Sequence, residues 1–388
     1  MRKIAIISFF HTESSICLAK YIAKQNIRVD YICITDILRD KGYMAGFEYF
    51  RAKKRPGIIK LGEKDIPEIY QYARNLPISF FLIRIISFSN KLLFLNKLIL
   101  HKALGMIKQE KYDSINIVGQ HPWVGIIHDE LKHENITHTL HEIGAHLNNN
   151  VNISPLLQKI IIDRTKVIVH SQSTLERFLQ IPDASKVRST IIPFGNFETL
   201  LLYNKKIRLH IPLDISKPTF LFYGYIKPYK GLDLLREATK ILTDISDKYN
   251  LIIAGGGKDS NLEYFSTLRN CQVINHHLTN EEMMNLIQIS TVIVLPYKSA
   301  SQSGIPCTVF QYGKPIIATN VGALGETITD NKNGLITNNT ALDFANAMKK
   351  LIENRELLIE LKKGALTFGK EAPFNWDKIA KDTISFIN

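Results

Sequence analysis

Apolar and polar residues alternate along the chain in two repeating patterns, and each pattern predicts one kind of element. Continuous apolar runs such as KIAIISFF near the N-terminus have the length and composition of buried strands. The following segment, HTESSICLAKYIAKQ, repeats its apolar residues at helical spacing, as at Ile16, Ala19 and Ala23. The succession of strand and helix continues along the chain and predicts an α/β fold built on parallel sheets.

The residues from Thr291 to Ile336 give the clearest example of this pattern. A strand, TVIVLP, leads into a polar loop with Ser303 and Gly304, a predicted helix over residues 305–312, a second strand, KPIIAT, and a turn, VGALGE. Open α/β sheets bind ligands where such loops leave the C-terminal ends of strands. Free N–H groups at the start of the helix would suit a diphosphate. The alternative is an ordinary βαβ unit in which Ser and Gly only cap the helix.

Length and composition limit the class of protein. A chain of 388 residues is too long for one ordinary core and predicts two domains, with a linker in the irregular basic segment from about 199 to 217. The net charge of +13 favours acidic partners, of which nucleic acid, anionic lipid and nucleotide-sugar are the candidates. The sequence carries no nucleic-acid-binding motif, so we expect no nucleic acid partner.

Cysteines and apolar stretches indicate the compartment. The four cysteines lie far apart in apolar surroundings, without metal-ligand spacing, which is typical of reduced cytoplasmic proteins. The N-terminal apolar run is too short for a signal sequence and lacks a cleavage site, so a first strand is the better interpretation. No uninterrupted apolar stretch reaches the roughly 20 residues of a spanning helix.

Two basic regions raise the question of a membrane surface. Leu76 to Met106 is strongly apolar, yet Arg84, Lys91, Lys97 and Lys102 interrupt it and no acidic residue appears. Cations along an apolar helix suit an anionic membrane surface. The alternative is a pair of core helices whose cations point outward. The cluster RAKKR at residues 51–55 is either a solvated loop or a surface that faces lipid or acceptor.

Several motifs in a fixed order resemble one enzyme family. Pro296 at a strand end, then GKPIIAT, VGALGE and DNKNGLI, is similar to the donor-nucleotide site of retaining glycosyltransferases of family 4 (group 1). The segment GYIKPYKG after the strand TFLFY matches the same family upstream. The resemblance implies the GT-B architecture, an α/β fold in which two Rossmann-like domains face a central cleft. It places these domains at 1–203, with helix 374–388 packing back onto them, and at 204–373.

The resemblance also implies roles for particular residues. Lys227 and Lys230, with the amides of Ser303 and Gly304, would stabilise the leaving diphosphate, while His141, at a strand end, would contact the donor sugar. The remaining donor-binding residues would be Gly224, Tyr225 and Glu326. His276 and His277 are candidates to face the base. No metal and no cofactor are expected, because the nucleoside diphosphate sugar is a substrate and the lysines supply positive charge.

The chain also departs from the family pattern. Ala300 and Thr308 stand where many members carry two glutamates, Tyr225 stands where arginine is common, and the loop over residues 10–15 has no glycine. The resemblance still implies transfer of a sugar, with retention, to a lipid-linked saccharide for a surface glycan. We expect a peripheral enzyme on the cytoplasmic face of the membrane. The alternatives are a catalytically silent scaffold that docks a membrane assembly line, and a nucleotide-sugar epimerase.

Overall fold

The computed structural model divides the chain into two compact units. It describes residues 1–9, 11–36, 56–86, 93–143, 154–203, 207, 209–214, 216–300, 303–371 and 374–388. The first unit comprises residues 1–199 together with 375–388, and the second comprises residues 200–374. The basic cluster at 51–55, Lys91 and Gln302 lie outside the described residues.

The first unit is built on a sheet of eight described strands. In chain order these are β1 Lys3–Ser8, β2 Arg28–Asp36, β3 Gly57–Leu61, β4 Ile78–Ile85, β5 Ser114–Val118, β6 Ile136–Thr139, β7 Lys166–Val169 and β8 Ser189–Ile191. Their spatial order is β3-β4-β2-β1-β5-β6-β7-β8, and every pairing is parallel except β3 with β4. Continuous apolar runs in the central strands are buried on both faces because helices cover the sheet.

Helices of the first unit follow the strands in the order that the apolar pattern predicts. They are α1 Thr12–Ala23, α2 Pro67–Tyr72, α3 Leu93–Gln109, α4 Pro122–Leu131, α5 Pro155–Ile162 and α6 Gln172–Leu179. Ser171 caps α6, since its hydroxyl accepts from the Thr174 amide at 3.2 Å.

The second unit has a sheet in which every pairing is parallel. Its strands are β9 Thr219–Tyr223, β10 Asn250–Ala254, β11 Cys271–Ile274, β12 Val292–Leu295, β13 Ile316–Thr319 and β14 Gly334–Thr337, in the spatial order β11-β10-β9-β12-β13-β14. Its helices are α7 Leu232–Ile241, α8 Asn261–Thr267, α9 Asn280–Ile289, α10 Ile305–Val309, α11 Leu324–Thr327, α12 Ala341–Glu353 and α13 Arg355–Phe368. Thr279 and Glu282 form a capping box at α9.

A final helix, α14 Trp376–Ile387, belongs to the first unit. The Trp376 indole N–H donates to the Asn196 carbonyl at 2.7 Å. At the other end of the helix, Lys166 donates to the carbonyls of Ile387 and Asn388. These bonds to terminal carbonyls suit a cation at a helix C-terminus.

The helical interpretation of Leu76–Met106 is wrong in its first half. Residues Ile78–Ile85 form β4, which lies between β2 and β3, and only Leu93–Gln109 form a helix. Arg84 is therefore buried, with 3% of its surface exposed, and does not face outward. A short apolar run fits a buried strand and a buried helix equally well, and pairing with β2 decides between them. In the described residues no helix combines the length and the apolarity needed to cross a membrane.

Two buried histidines and an aspartate form a chain of hydrogen bonds in the first unit. His128 Nε2 lies 2.8 Å from Asp163 Oδ2, and His128 Nδ1 lies 2.9 Å from His138 Nε2. A carboxylate only accepts, so His128 Nε2 carries a proton and donates it to Asp163. Burial, with repulsion from His128, lowers the pKa of His138 to about 3.

Acid should therefore destabilise the first unit. The folded pKa of His138 is lower than its unfolded value, so the unfolded chain binds the extra proton as the pH falls below about 6.5. The contribution of His138 to stability is complete above that pH. Below it, about 1.4 kcal/mol is lost per pH unit down to about pH 3. Urea unfolding between pH 7.5 and 5 measures this loss. Fluorescence reports on this unit, since both tryptophans, Trp123 and Trp376, lie in it.

The matched control replaces the exposed His133 by Gln, which should leave the pH dependence unchanged. His138→Gln should make the dependence shallower. Equal pH dependence in the two variants would contradict the assignment.

Candidate functional site

Loops at the C-terminal ends of β9 and β12 pack backbone against backbone in the second unit. Gly231 has φ of +73°, and a Cβ there would lie 1.8 Å from the Pro296 carbonyl oxygen, so only glycine fits. Beside it, the Lys298 amide donates to the Tyr229 carbonyl at 2.7 Å. This contact fixes the loop that carries both predicted catalytic lysines.

Lys230 lies inside this contact. Its residue surface is 9% exposed, and its Nζ lies 5.3 Å from the centre of the Tyr297 ring. Gly224, with φ of +106°, leaves room for the amine, because a Cβ there would lie 2.9 Å from Nζ. Burial lowers the pKa of Lys230. Among the described residues no carboxylate pairs with it.

Neutral hydroxyl groups bond to one another near Tyr297, the ring beside the buried lysine. Tyr297 is hydrogen-bonded through its side chain to Ser303, and Tyr223 is bonded in the same way to Thr308. Thr308 Oγ1 also lies 3.3 Å from the Gly304 carbonyl, to which it donates. Ala300 and Thr308, which occupy the positions of the family's glutamates, are 3% and 4% exposed. The structure thus places Gly224 next to Lys230 and links Ser303 to Lys230 through Tyr297, with uncharged groups at both glutamate positions.

The other predicted donor-binding residues of this unit lie nearer to solvent. Tyr225 is 55% exposed, and Lys227 Nζ lies over its ring at 5.5 Å from the centre. Glu326 lies on α11 and is exposed. The turn before it packs on the same edge, since the Ala323 amide donates to the Ala300 carbonyl at 3.2 Å. His276 is held by Glu282, whose carboxylate lies 3.0 Å from its Nε2.

The helix predicted over residues 305–312 is shorter in the structure. α10 ends at Val309, and Phe310–Tyr312 form a 3₁₀ turn. β-branched residues such as Thr308 and Val309 are poor helix formers. Gly304 is the N-cap of this helix, and the Ser303 hydroxyl before it accepts from the Ile305 amide at 3.3 Å. A helix of one turn carries a small dipole, so the lysines contribute most of the positive charge at this edge.

His141 belongs to the first unit and forms part of an aromatic stack. It lies two residues beyond the end of β6, where the sequence placed it at the strand end itself. Its ring centre lies 3.4 Å from that of His11 and 4.8 Å from that of His170, and Phe194 stacks on both His141 and His170. His11, His141, His170 and Phe194 follow β1, β6, β7 and β8, so the stack runs along the C-terminal edge of the sheet.

Burial keeps the imidazoles of the stack neutral. It lowers the pKa of His11 and of His170 to about 4, and it lowers that of His141 well below 6.5, with repulsion from its two neighbours adding to the effect. The sequence singled out only His141, although His11 and His170 also lie within three residues of a strand end. Among the described residues no three His, Cys, Asp or Glu side chains are grouped so that they could hold a metal ion.

Comparison with known proteins relates the chain to sugar transferases. Residues 205–367 match the family model "Glycosyl transferases group 1". An uncharacterized glycosyltransferase of Methanocaldococcus jannaschii, MJ1178, is 32% identical over 162 residues, which are 41% of this chain and 44% of that protein. The chain thus spans less than half the length of this curated relative.

Solved structures agree with the fold along the whole chain. Sucrose-phosphate synthase from Thermosynechococcus elongatus has a TM-score of 0.70 at 18% identity, covering 99% of this chain and 98% of that one. Anabaena Alr3699/HepE in complex with UDP and glucose has a TM-score of 0.67 at 14% identity, covering 99% of both chains. These similarities confirm the predicted GT-B fold. Residues 205–367 of the chain are thus similar to the glycosyl transferases group 1 family.

Proposed function

We propose that this protein transfers a sugar, with retention of configuration, from a nucleoside diphosphate sugar to a saccharide acceptor. The observation that carries the proposal is Lys230, a buried amine without a carboxylate partner in the described part of the chain. A buried unpaired charge is costly, and an anionic ligand offsets that cost. A diphosphate held at the loops after β9 and β12 supplies such a charge.

The proposed chemistry needs positive charge at the leaving group. The bond between the sugar's anomeric carbon and the diphosphate breaks, and a bond to the acceptor oxygen forms on the same face. The acceptor proton passes to the departing diphosphate, which the family resemblance implies is the base. Lys230 and the exposed Lys227 then stabilise the charge that develops on the diphosphate. Gly224, Ser303 and Gly304 are assigned to the binding of the same diphosphate. Glu326 is assigned to hydroxyls of the ribose or the sugar, and Tyr225 to another contact with the donor.

Two further observations support this class of donor. The structural neighbour HepE was solved with UDP and glucose, although its likeness to this chain concerns the fold. In the second unit, Lys227 and Lys230 follow the C-terminal end of β9, and Ser303 follows that of β12. Open α/β sheets bind nucleotides at such strand ends. In the first unit, His141 is assigned to the donor sugar.

The acceptor is proposed to be lipid-linked because α3 exposes an apolar and basic face. Phe94 is 72% exposed, and Leu95, Leu98 and Met106 are each about half exposed. Lys97 and Lys102 are exposed on the same helix. The proposed membrane surface is therefore narrower than the predicted one, Leu76 to Met106. Arg84 is buried in β4, and Lys91 lies outside the described residues. An anionic membrane surface is the partner that suits it.

Removal of the buried amine should abolish most of the turnover. Lys230→Ala should lower kcat by ~10²–10³, the range for losing one preorganised donor at a developing charge. Stability should be unchanged or higher, because an unpaired buried amine is removed. Donor consumption and thermal unfolding are measured together on the purified variant.

The control is Lys248→Ala, an exposed lysine of the same unit. It should leave turnover unchanged. A loss of under threefold in Lys230→Ala, with the fold intact, would remove this residue from the site.

The alternative of a silent scaffold is motivated by the buried Ala300 and Thr308. Slow hydrolysis of the donor by the parent protein would distinguish an active glycosyltransferase from a silent scaffold. An enzyme should release free sugar from at least one member of a panel of UDP-, GDP- and ADP-sugars. Absence of release from every donor would favour the scaffold.

Membrane binding should depend on the two cations of α3. Changing Lys97 and Lys102 together to Gln should weaken binding to anionic vesicles by roughly 1 kcal/mol per residue, and added salt should weaken binding of the parent. Transfer to a lipid acceptor should slow, while hydrolysis of the donor should not. Vesicle flotation and the two rates are the measurements.

The matched control changes the exposed Lys349 and Lys363 of the second unit to Gln, which removes the same charge elsewhere. Equal loss of binding in both double variants would show that only net charge matters. Equal binding of the parent to neutral and anionic vesicles would also refute the proposed surface.

A further inference from the structure

One ring of the histidine stack has a fixed tautomer. His170 Nδ1 lies 2.7 Å from the Ile192 carbonyl oxygen. A carbonyl oxygen accepts and cannot donate, so Nδ1 carries the proton. Burial lowers the pKa of His170 to about 4, so the ring is neutral at neutral pH. Its Nε2 is therefore a bare acceptor, and it is buried without a partner among the described residues.

His141 carries a second buried nitrogen. Its Nε2 is likewise without a partner among the residues that the structure describes. Both rings line a cavity of about 30 Å³ in the first unit, whose other walls include Thr139, Thr383 and Ile379. A cavity of that size has room for one or two water molecules, and a buried water needs about two to four polar partners.

The serine and threonine hydroxyls that line this cavity have already used their hydrogens. Those of Ser14 and Ser15 donate to the His11 carbonyl. The Thr139 hydroxyl donates to Asn116 Oδ1 at 2.8 Å. The Thr383 hydroxyl donates to the Ile379 carbonyl at 2.7 Å. Each hydroxyl oxygen keeps lone pairs, so each can only accept from a molecule inside the cavity. Together with His170 Nε2 they make a set of acceptors.

We propose that His170 is a positioning residue that fixes the tautomer of His141 through a water bound in this cavity. The water donates one hydrogen to His170 Nε2 and the other to a threonine oxygen. Its lone pairs then require a donor, and His141 is the ring that can supply one, as Nε2–H. His141 is thereby held with its proton on Nε2 and with Nδ1 bare.

This tautomer gives His141 a defined role, which rests on the proposed function. A bare Nδ1 accepts a hydrogen bond from a hydroxyl of the donor sugar, and it cannot donate one. Stacking of His11 on the face of the ring holds its plane. Because the pKa of His141 lies well below 6.5, the ring keeps this role throughout the neutral range.

The tautomer can be read without any substrate. In protein labelled with ¹⁵N-histidine, long-range proton–nitrogen spectra distinguish a bare from a protonated ring nitrogen, and loss of a signal set in His141→Gln assigns it among the 12 histidines. We expect the parent to show Nδ1 bare and Nε2 protonated at His141. In His170→Phe, which keeps the stack with Phe194 but removes the acceptor, His141 should show a mixture of tautomers. In His170→Gln, whose amide can both donate to Ile192 and accept, the parent tautomer should return.

Kinetics supply a second measurement. His170→Phe should raise the donor KM by about fivefold to tenfold, the loss of one neutral hydrogen bond, with little change in kcat. Gln at this position should restore most of the KM. The exposed His133→Phe is the control and should leave both constants unchanged.

Three results would overturn the inference. They are a parent His141 with its proton on Nδ1, a His141 spectrum that His170→Phe leaves unaltered, and a fall of kcat together with melting temperature in that variant. Failure of the proposed function can be distinguished from failure of the tautomer assignment, since a protein that turns over no donor can still show the expected His141 spectrum.

Discussion

Close contact between two loop backbones underlies the chemistry of the second unit. The Gly231 backbone lies against the Pro296 carbonyl, and the Lys298 amide bonds to Tyr229 beside it. No side chain fits at Gly231, so the loops after β9 and β12 meet without a layer of side chains between them. Lys230, the neighbour of Gly231, is consequently drawn out of water beside Tyr297. The diphosphate that we propose as ligand would supply the missing counter-charge, and its binding would stabilise the folded loop.

In the first unit, removal from water produces neutral side chains, in contrast to the buried amine of Lys230 in the second unit. An imidazole loses its proton readily when buried, and the rings of His11, His141 and His170 are neutral for that reason. Neutral rings can stack face to face, whereas charged rings at 3.4 Å would repel each other. Burial thus gives one unit a cation that needs an anionic ligand and gives the other a row of uncharged acceptors and donors.

Most of the fold follows from the sequence, because parallel strands covered by helices must be continuous apolar runs. The caps at Ser171 and Thr279 follow too, since a capping residue and the amide it accepts from are close in sequence. Ile78–Ile85 was misassigned because the local pattern does not separate a buried strand from a buried helix. Its identity depends on β2, a partner far away in the chain. The burial of Arg84 follows from that pairing and has no local signature.

Some residues of the candidate site can be predicted from a short motif, whereas others are brought together only by the fold. Gly224, Lys230 and Gly231 lie in one short motif, and the sequence alone brings them together. The histidine stack is assembled from the ends of β1, β6 and β7, which are separated by much of the first unit. Parallel sheets collect such ends at one edge, so a histidine just after a strand meets others whose strands are near in the sheet order. The position of a histidine relative to its strand therefore indicates a shared site, and its tautomer is set only when the neighbouring strand ends supply the partners.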